Sequence, residues 1–279
     1  MKECLIHENE KISVIMGIYN CAATLPEAID SILNQTYKNW ELILCDDGSV
    51  DDTYQVAKRY ADDYPDKIIL IRNETNRKLA YSLNRCLEYA TGDFIARMDG
   101  DDISLPVRFE KQLFFLKEHP EYDLVGCAMQ RFDAEGFSDI IYAEAEPDYY
   151  ALRNNNPFFH PTILARKVVF DGLGGYTVVD RTARSEDYDL WFRFYHAGFQ
   201  GCNLQEALYL IREDMAAIRR RTFKTRWGAF KTTLFGFKLL GYPRWWIIKP
   251  AVVTAFKSIV PYKAIELYRK WQKRSARQK

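Results

Sequence analysis

Three acidic clusters in this chain have residue types and spacing that could do chemistry. The densest is Asp99-Gly100-Asp101-Asp102, three carboxylates within four residues. Like charges this close repel one another unless a cation or solvent offsets them. With a glycine permitting close backbone approach, Asp99 and Asp101 can hold Mn²⁺ or Mg²⁺, hard cations that take oxygen ligands and commonly bridge to a substrate diphosphate. The plainer reading is a solvated acidic turn before a helix. The second cluster is Asp46-Asp47-Gly48-Ser49. Asp-Gly is a common turn pair, yet an aspartate here could also accept from a base N–H or a ribose hydroxyl. Glu186-Asp187, the third, opens a helical pattern, where the helix dipole favours acids. The same pair could supply a general base that takes a proton from an acceptor hydroxyl. His160, before Pro161, is more ordinarily a hydrogen-bonded loop residue.

The elements around these clusters alternate two periodicities over the first hundred residues. Short β-rich runs occur at Ile12–Ile18, Glu41–Cys45, Lys67–Arg72 and Asp93–Met98. Helical patterns lie between them. Thr24 to Gln35 opens with a Thr24–Glu27 capping-box spacing and stripes Leu25, Ile29, Ile32 and Leu33 along one face, and residues 51–63 and 79–90 follow. This alternation predicts an α/β fold with a mainly parallel sheet covered by helices on both faces. In such sheets ligands bind beyond the carboxyl ends of the strands. Tyr19-Asn20, Asp46–Ser49 and Asp99–Asp102 all fall at those ends. The middle of the chain is mixed. A helix is expected from Pro106 to about His119, a buried strand at Leu124–Gln130, a Gly-rich turn at Gly172–Gly175, and a helix capped by Ser185.

The totals fit one globular domain with an appendage. Of 279 residues, 48% are apolar and 28% charged, which excludes a disordered chain. Six cysteines are scattered without C-x-x-C spacing, so neither a zinc site nor a disulfide framework is indicated. The opening MKECLIHENEK is too polar for a signal peptide, and a cytoplasmic location is expected. Charge is unevenly placed. Residues 216–279 hold 17 Lys/Arg and one acid, a net +16, whereas the other 22 Lys/Arg and 37 Asp/Glu give −15. The boundary divides a domain over 1–215 from a basic tail over 216–279. In that tail Phe223, Trp227, Phe230, Leu234 and Phe237 recur at steps of four and three, which predicts an amphipathic helical extension. No stretch reaches the roughly 18–20 uncharged apolar residues a membrane span needs. Lying on an anionic membrane surface fits the interleaved Trp and Phe better than nucleic acid does. A merely solvated basic face is the third reading.

The run from Ile12 to Thr53 resembles the opening of glycosyltransferase family 2, whose members share the GT-A fold. So do Gly92–Gln112, His160-Pro161-Thr162 and Ser185–Arg193 (SEDYDLWFR). The resemblance spans residues 10–215 and is nearest to bacterial enzymes that assemble capsule or O-antigen polysaccharide. It implies that Tyr19 stacks on uracil, that Asp47 accepts from the base, and that Asp99 lies near the ribose. Asp101 would ligate the metal on the diphosphate, and Asp187 would be the catalytic base. Trp191 would help shape the acceptor site, with Glu186 beside it, and His160 and Thr162 would line the donor–acceptor region. Transfer would invert the anomeric centre, with a UDP-sugar as donor and a lipid-linked glycan at the inner face of the membrane as acceptor. Direct transfer to polyprenyl phosphate, or nucleotide-sugar binding without catalysis, are the alternatives. Two departures stand out. Gly17 replaces the family's usual proline, alanine or threonine, and Lys78 replaces a glycine, so that Arg77 or Lys78 could meet the diphosphate. The Q-x-x-R-W of processive synthases lacks its glutamine at Phe223–Trp227, which implies one sugar per encounter.

Overall fold

The computed structural model describes residues 10–154, 156–213 and 222–259. The first four strands are β1 (Ile12–Ile18), β2 (Trp40–Asp46), β3 (Ile68–Arg72) and β4 (Phe94–Arg97). They alternate with helices α1 (Leu25–Leu33), α2 (Thr53–Asp63) and α3 (Leu79–Tyr89). All three pairings in the order β3-β2-β1-β4 are parallel. Parity on β1 shows why. Ile12, Val14, Met16 and Ile18 enter one apolar cluster with Ile29, Ile32 and Leu113, while Ile15 enters the other with Leu83, Ile95 and Trp191. A strand apolar on both faces is stable only between two helical layers.

Past β4 the sheet changes direction. A short β5 (Ile103–Ser104) leads to α4 (Arg108–Glu118), then β6 (Leu124–Asp133) and β7 (Gly136–Ile141). There follow β8 (Leu164–Arg166), α5 (Lys167–Leu173), α6 (Glu186–His196) and β9 (Gly201–Arg212). The sheet runs β3-β2-β1-β4-β8-β6-β9-β5, with β7 on β6. β8 is antiparallel to both β4 and β6, and β9 is parallel to β6. Sequence patterning marks β6 but not β7, β8 or β9. β7 is mostly exposed and carries no buried alternation. β8 has only three residues. β9 slips register opposite Cys127–Met129, so its apolar parity breaks at Gln205 and Glu206.

Two expected helix caps are absent. Thr24 makes no cap bond. Its hydroxyl donates to the carbonyls of Cys21 at 3.2 Å and Gly100 at 3.1 Å, tying α1 to the acidic turn. Ser185 Oγ likewise turns to the carbonyl of Arg181 and to Thr232. Both hydroxyls are used for tertiary contact, which a capping pattern cannot distinguish.

The tail contributes α7 (Phe223–Leu239) and α8 (Ile248–Ile259). The expected apolar stripe of α7 does not pack inward as a unit. Gly228, Thr232, Thr233, Gly236 and Phe237 are the buried residues, whereas Phe223, Trp227 and Leu234 are exposed. Small residues bring α7 close to α6: a Cβ on Gly236 would fall 2.1 Å from the Phe192 ring. Among the described residues no helix is long and apolar enough to cross a membrane. Arg219, Arg220 and Arg221 of the basic tail lie outside the described residues.

Candidate active site

The loops after β1 and β2 are fastened to each other. The Asn20 N–H donates to Ser49 Oγ at 3.0 Å, and the Val50 N–H returns a bond to Asn20 Oδ1 at 3.0 Å. Asn20 holds φ 49°, a left-handed conformation that asparagine tolerates. Tyr19 is thereby left 46% exposed at the strand's end, free to stack on a planar group. Asp47 is buried and already engaged. Its carboxylate accepts from Asn73 Nδ2 at 2.8 Å and from the backbone N–H groups of Arg77 at 2.8 Å and Lys78 at 2.9 Å. Its evident work is therefore to hold the segment that precedes α3. That segment is strained: Lys78 has φ 74° and ψ 161°, a region that suits glycine. The turn persists with lysine in it because Asp47 clamps it. Arg77 lies 4.4 Å over the Tyr81 ring. Gly17 has a packing reason, since a Cβ there would meet Leu79 Cδ1 at 2.9 Å.

The acidic turn gathers its carboxylates. One oxygen from each of Asp99, Asp101 and Asp102 lies within 4.8 Å of the others. Asp102 is buried and accepts from the Arg212 N–H at 2.8 Å. Burial, then the charges of Asp99 and Asp101, push its carboxyl well above the ordinary range. Arg212 also holds the Asp101 carbonyl at 2.8 Å and pairs with Glu27, clamping the turn to α1. A Cβ on Gly100 would come 3.0 Å from Ile18 Cγ2, so glycine lets the turn sit against β1. The donor set is entirely carboxylate oxygen, crowded and electrostatically uncomfortable without a cation. It fits Mg²⁺ or Mn²⁺ and offers no nitrogen or sulfur to a softer metal.

Arg97 links this turn to the second half of the site. Its guanidinium is buried and grips Asp99 with both terminal nitrogens, one at 2.7 Å. Its charge also reaches His160, Glu186 and Asp187. Asp187 sits at the start of α6, accepting from Asn156 Nδ2 at 2.6 Å and the Tyr188 N–H at 2.8 Å. Burial raises the Asp187 carboxyl, opposed by the Tyr188 N–H, Arg97 and Asn156. Burial and the neighbouring Asp187 push Glu186 up to about 7. A pair of carboxyls raised by burial, with one member held by an amide, has the properties of a general base.

Three expected site residues lie beneath the surface. His160 is buried, bonded through Nε2 to the Tyr176 hydroxyl at 2.8 Å, and kept neutral by burial and by Arg97. Thr162 has no exposed surface, and its hydroxyl bonds the Phe159 carbonyl and the Cys127 N–H. Trp191 is equally buried, edge-on to Phe158 and His160, so it shapes the site only from behind. A helix stripe in the sequence cannot tell a lining residue from one a layer deeper. Conversely, Arg97, Asn156, Arg212 and Tyr209, whose hydroxyl accepts from the Asp99 N–H at 3.2 Å, escaped sequence reasoning. Only Arg97 left a signal, an arginine inside the apolar strand run FIARM.

The model of glycosyl transferase family 2 matches residues 13–186. The chain belongs to that family. It is a glycosyltransferase with the GT-A fold. EpsE of Bacillus subtilis (strain 168), named as a glycosyltransferase, is 53% identical over 218 residues, covering 78% of each chain. WfaP of Escherichia coli, named a UDP-Glc:α-D-GlcNAc-diphosphoundecaprenol β-1,3-glucosyltransferase, is 28% identical over 77% of this chain and 82% of its own. The mannosyltransferase PcManGT of Pyrobaculum calidifontis, solved with GDP-Man and Mn²⁺, superposes with a TM-score of 0.61 at 20% identity, over 94% of this chain and 79% of that one. The family-2 strands β1, β2 and β4 thus carry the loops described above.

Proposed function

We propose that this glycosyltransferase moves a sugar, with inversion, from a UDP-sugar to a hydroxyl of a lipid-linked glycan in the assembly of a bacterial surface polysaccharide. The observation that carries the reading is one buried arginine, Arg97, which bonds Asp99 of the Asp99–Asp101–Asp102 turn and whose charge also acts on the Glu186–Asp187 pair. The relatives named above, one of them acting on a diphosphoundecaprenol-linked sugar, support the acceptor class. Residues 1–215 form the catalytic unit in this reading, and residues 216–279 keep it at the inner face of the membrane.

Each residue then has a task. Tyr19 stacks on the base, and Asp47 presents the Arg77–Lys78 segment, whose side chains are the available cations for the diphosphate. Asp101, with Asp99 and Asp102, would hold the divalent cation, whose chemistry is to stabilise negative charge on the departing nucleoside diphosphate. Asp187 takes the proton of the attacking hydroxyl while Asn156 fixes its orientation. Neutral His160 and Tyr176 keep the wall beside Arg97 uncharged. The decisive test is a panel of UDP- and GDP-sugars assayed for nucleotide release with Mn²⁺ and with chelator. Cation-dependent release from a UDP-sugar is expected. If no donor shows it, the reading fails.

A further inference from the structure

The feature that the site leaves unused is the outer face of the C-terminal segment. With 3.6 residues per turn, α7 presents three distinct strips. Gly228 and Thr232 face the turn at Asp180–Thr182, where Thr232 donates to the Arg181 carbonyl at 2.9 Å, and Gly236 faces Phe192 of α6. That close approach leaves no room for a larger residue, so the helix cannot roll. Phe223, Trp227 and Leu234 are consequently held outward in one exposed strip. Lys224, Lys231 and Lys238, seven residues apart, form a second exposed strip beside it. Beyond the turn, Trp245 is 63% exposed and rests under the Arg153 guanidinium, with Ile248 and Val252 exposed one helical turn apart on α8. Residues 222–259 contain seven Lys/Arg and no acid.

We propose that this face docks on an anionic lipid bilayer, lying in its surface without crossing it. An apolar strip flanked by lysines, with tryptophan at the boundary, matches the depth profile of a bilayer interface. The absence of any acid matches the charge of the leaflet and disfavours pairing with a second copy, which would set lysine strips against each other. The face is also tied to the base. The Tyr242 hydroxyl donates to the Tyr149 carbonyl, and Lys249 Nζ donates to Asn154 Oδ1 at 2.6 Å. Two residues on, Asn156 holds Asp187. Docking therefore sets a membrane-borne acceptor beside the base, an inference that rests on the acceptor class proposed above.

Flotation of the full chain with vesicles tests it. Mixed phosphatidylglycerol–phosphatidylcholine vesicles should bind the chain, and pure phosphatidylcholine should bind it far more weakly. Replacing Lys224, Lys231 and Lys238 by Gln should weaken binding on the order of a hundredfold, and Leu234→Asp should weaken it as well. Cation-dependent nucleotide release and thermal melting should stay unchanged in both variants. Equal binding to the two vesicle types overturns the proposal. So does a chain that ignores vesicles and sediments as a dimer that Leu234→Asp dissolves. Loss of binding with nucleotide release intact separates a failure here from a failure of the transferase reading.

Discussion

The proposed donor end and the proposed acceptor end of this site are built by different means. At the donor end, consecutive β–α loops of one parallel sheet are stitched together: Asn20 to Ser49 and Val50, Asp47 to Arg77 and Lys78. Backbone N–H groups make up most of the partners, and each loop follows its own strand. The acceptor end sets Asn156, from a loop, against Asp187 of α6 through a side-chain bond, with Glu186 beside it and the charge of Arg97 from β4 acting on both acids. The lesson is that a donor site can be carried as portable loop motifs, whereas an acceptor site is an agreement among distant residues.

If that contrast is right, the two ends should fail separately. Asp187→Asn should lower kcat by about 10²–10⁴-fold while leaving UDP affinity unchanged by calorimetry. Asp101→Asn should instead raise the Mn²⁺ concentration for half-maximal rate at least about tenfold. Near-normal turnover in Asp187→Asn would point to an acceptor that is already an anion, such as polyprenyl phosphate.

Arg97 is the place where the two ends should fail together. Arg97→Met leaves Asp99 without its partner, and because Asp99 is about one-third exposed the loss belongs near the lower bound for broken buried pairs, roughly 3 kcal/mol in urea titration. Both the Mn²⁺ response and the pH profile should shift. Arg97→Lys, a point charge without the bidentate fork, should restore them only in part. A change confined to one end would show that Arg97 is not a link.

A smaller effect should confine itself to the acceptor end. Glu186 in the folded chain titrates at about 7 instead of 4.5, so the native state holds its proton where the unfolded chain has lost it. The stability this contributes is full below pH 4.5 and disappears as pH rises through about 7. Activity should run the opposite way, rising with pH as the raised Glu186 and Asp187 carboxyls lose their protons. Glu186→Gln should flatten the stability slope and move the inflection of the rate toward acid, with the Mn²⁺ response untouched.

The same contrast explains what could be read from the chain beforehand. β1 to β4 and their helices were legible because buried parallel strands are apolar without interruption and their polar ends stand out. Asp99, Asp101 and Asp187 were visible for that reason. Asp102 was visible as the third carboxylate of the Asp99–Asp102 cluster but its burial was not, since its partner Arg212 comes from the distant strand β9. Asn156 lies in a run of asparagines that reads as a loop, and Tyr209 in a strand whose parity is broken. Thr162 and Trp191 belong to motifs of the family yet face inward. Motif membership says that a residue matters, and only packing says whether it touches the ligand.

The finest test falls on Lys78. Its φ of 74° is unfavourable for any residue with a Cβ, and strain of this kind is worth about 1–3 kcal/mol. Lys78→Gly removes it but adds flexibility to the unfolded chain worth about 0.5–1 kcal/mol, which leaves a net gain of roughly 1 kcal/mol in urea titration. Lys78→Ala keeps the strain and removes only the charge. If the lysine is retained for the diphosphate, both variants should bind UDP more weakly by a similar factor, while only the glycine variant becomes more stable. Should Lys78→Ala bind UDP as well as the parent chain does, the cation has no part in donor binding, and the strained turn serves only to aim the N-terminus of α3.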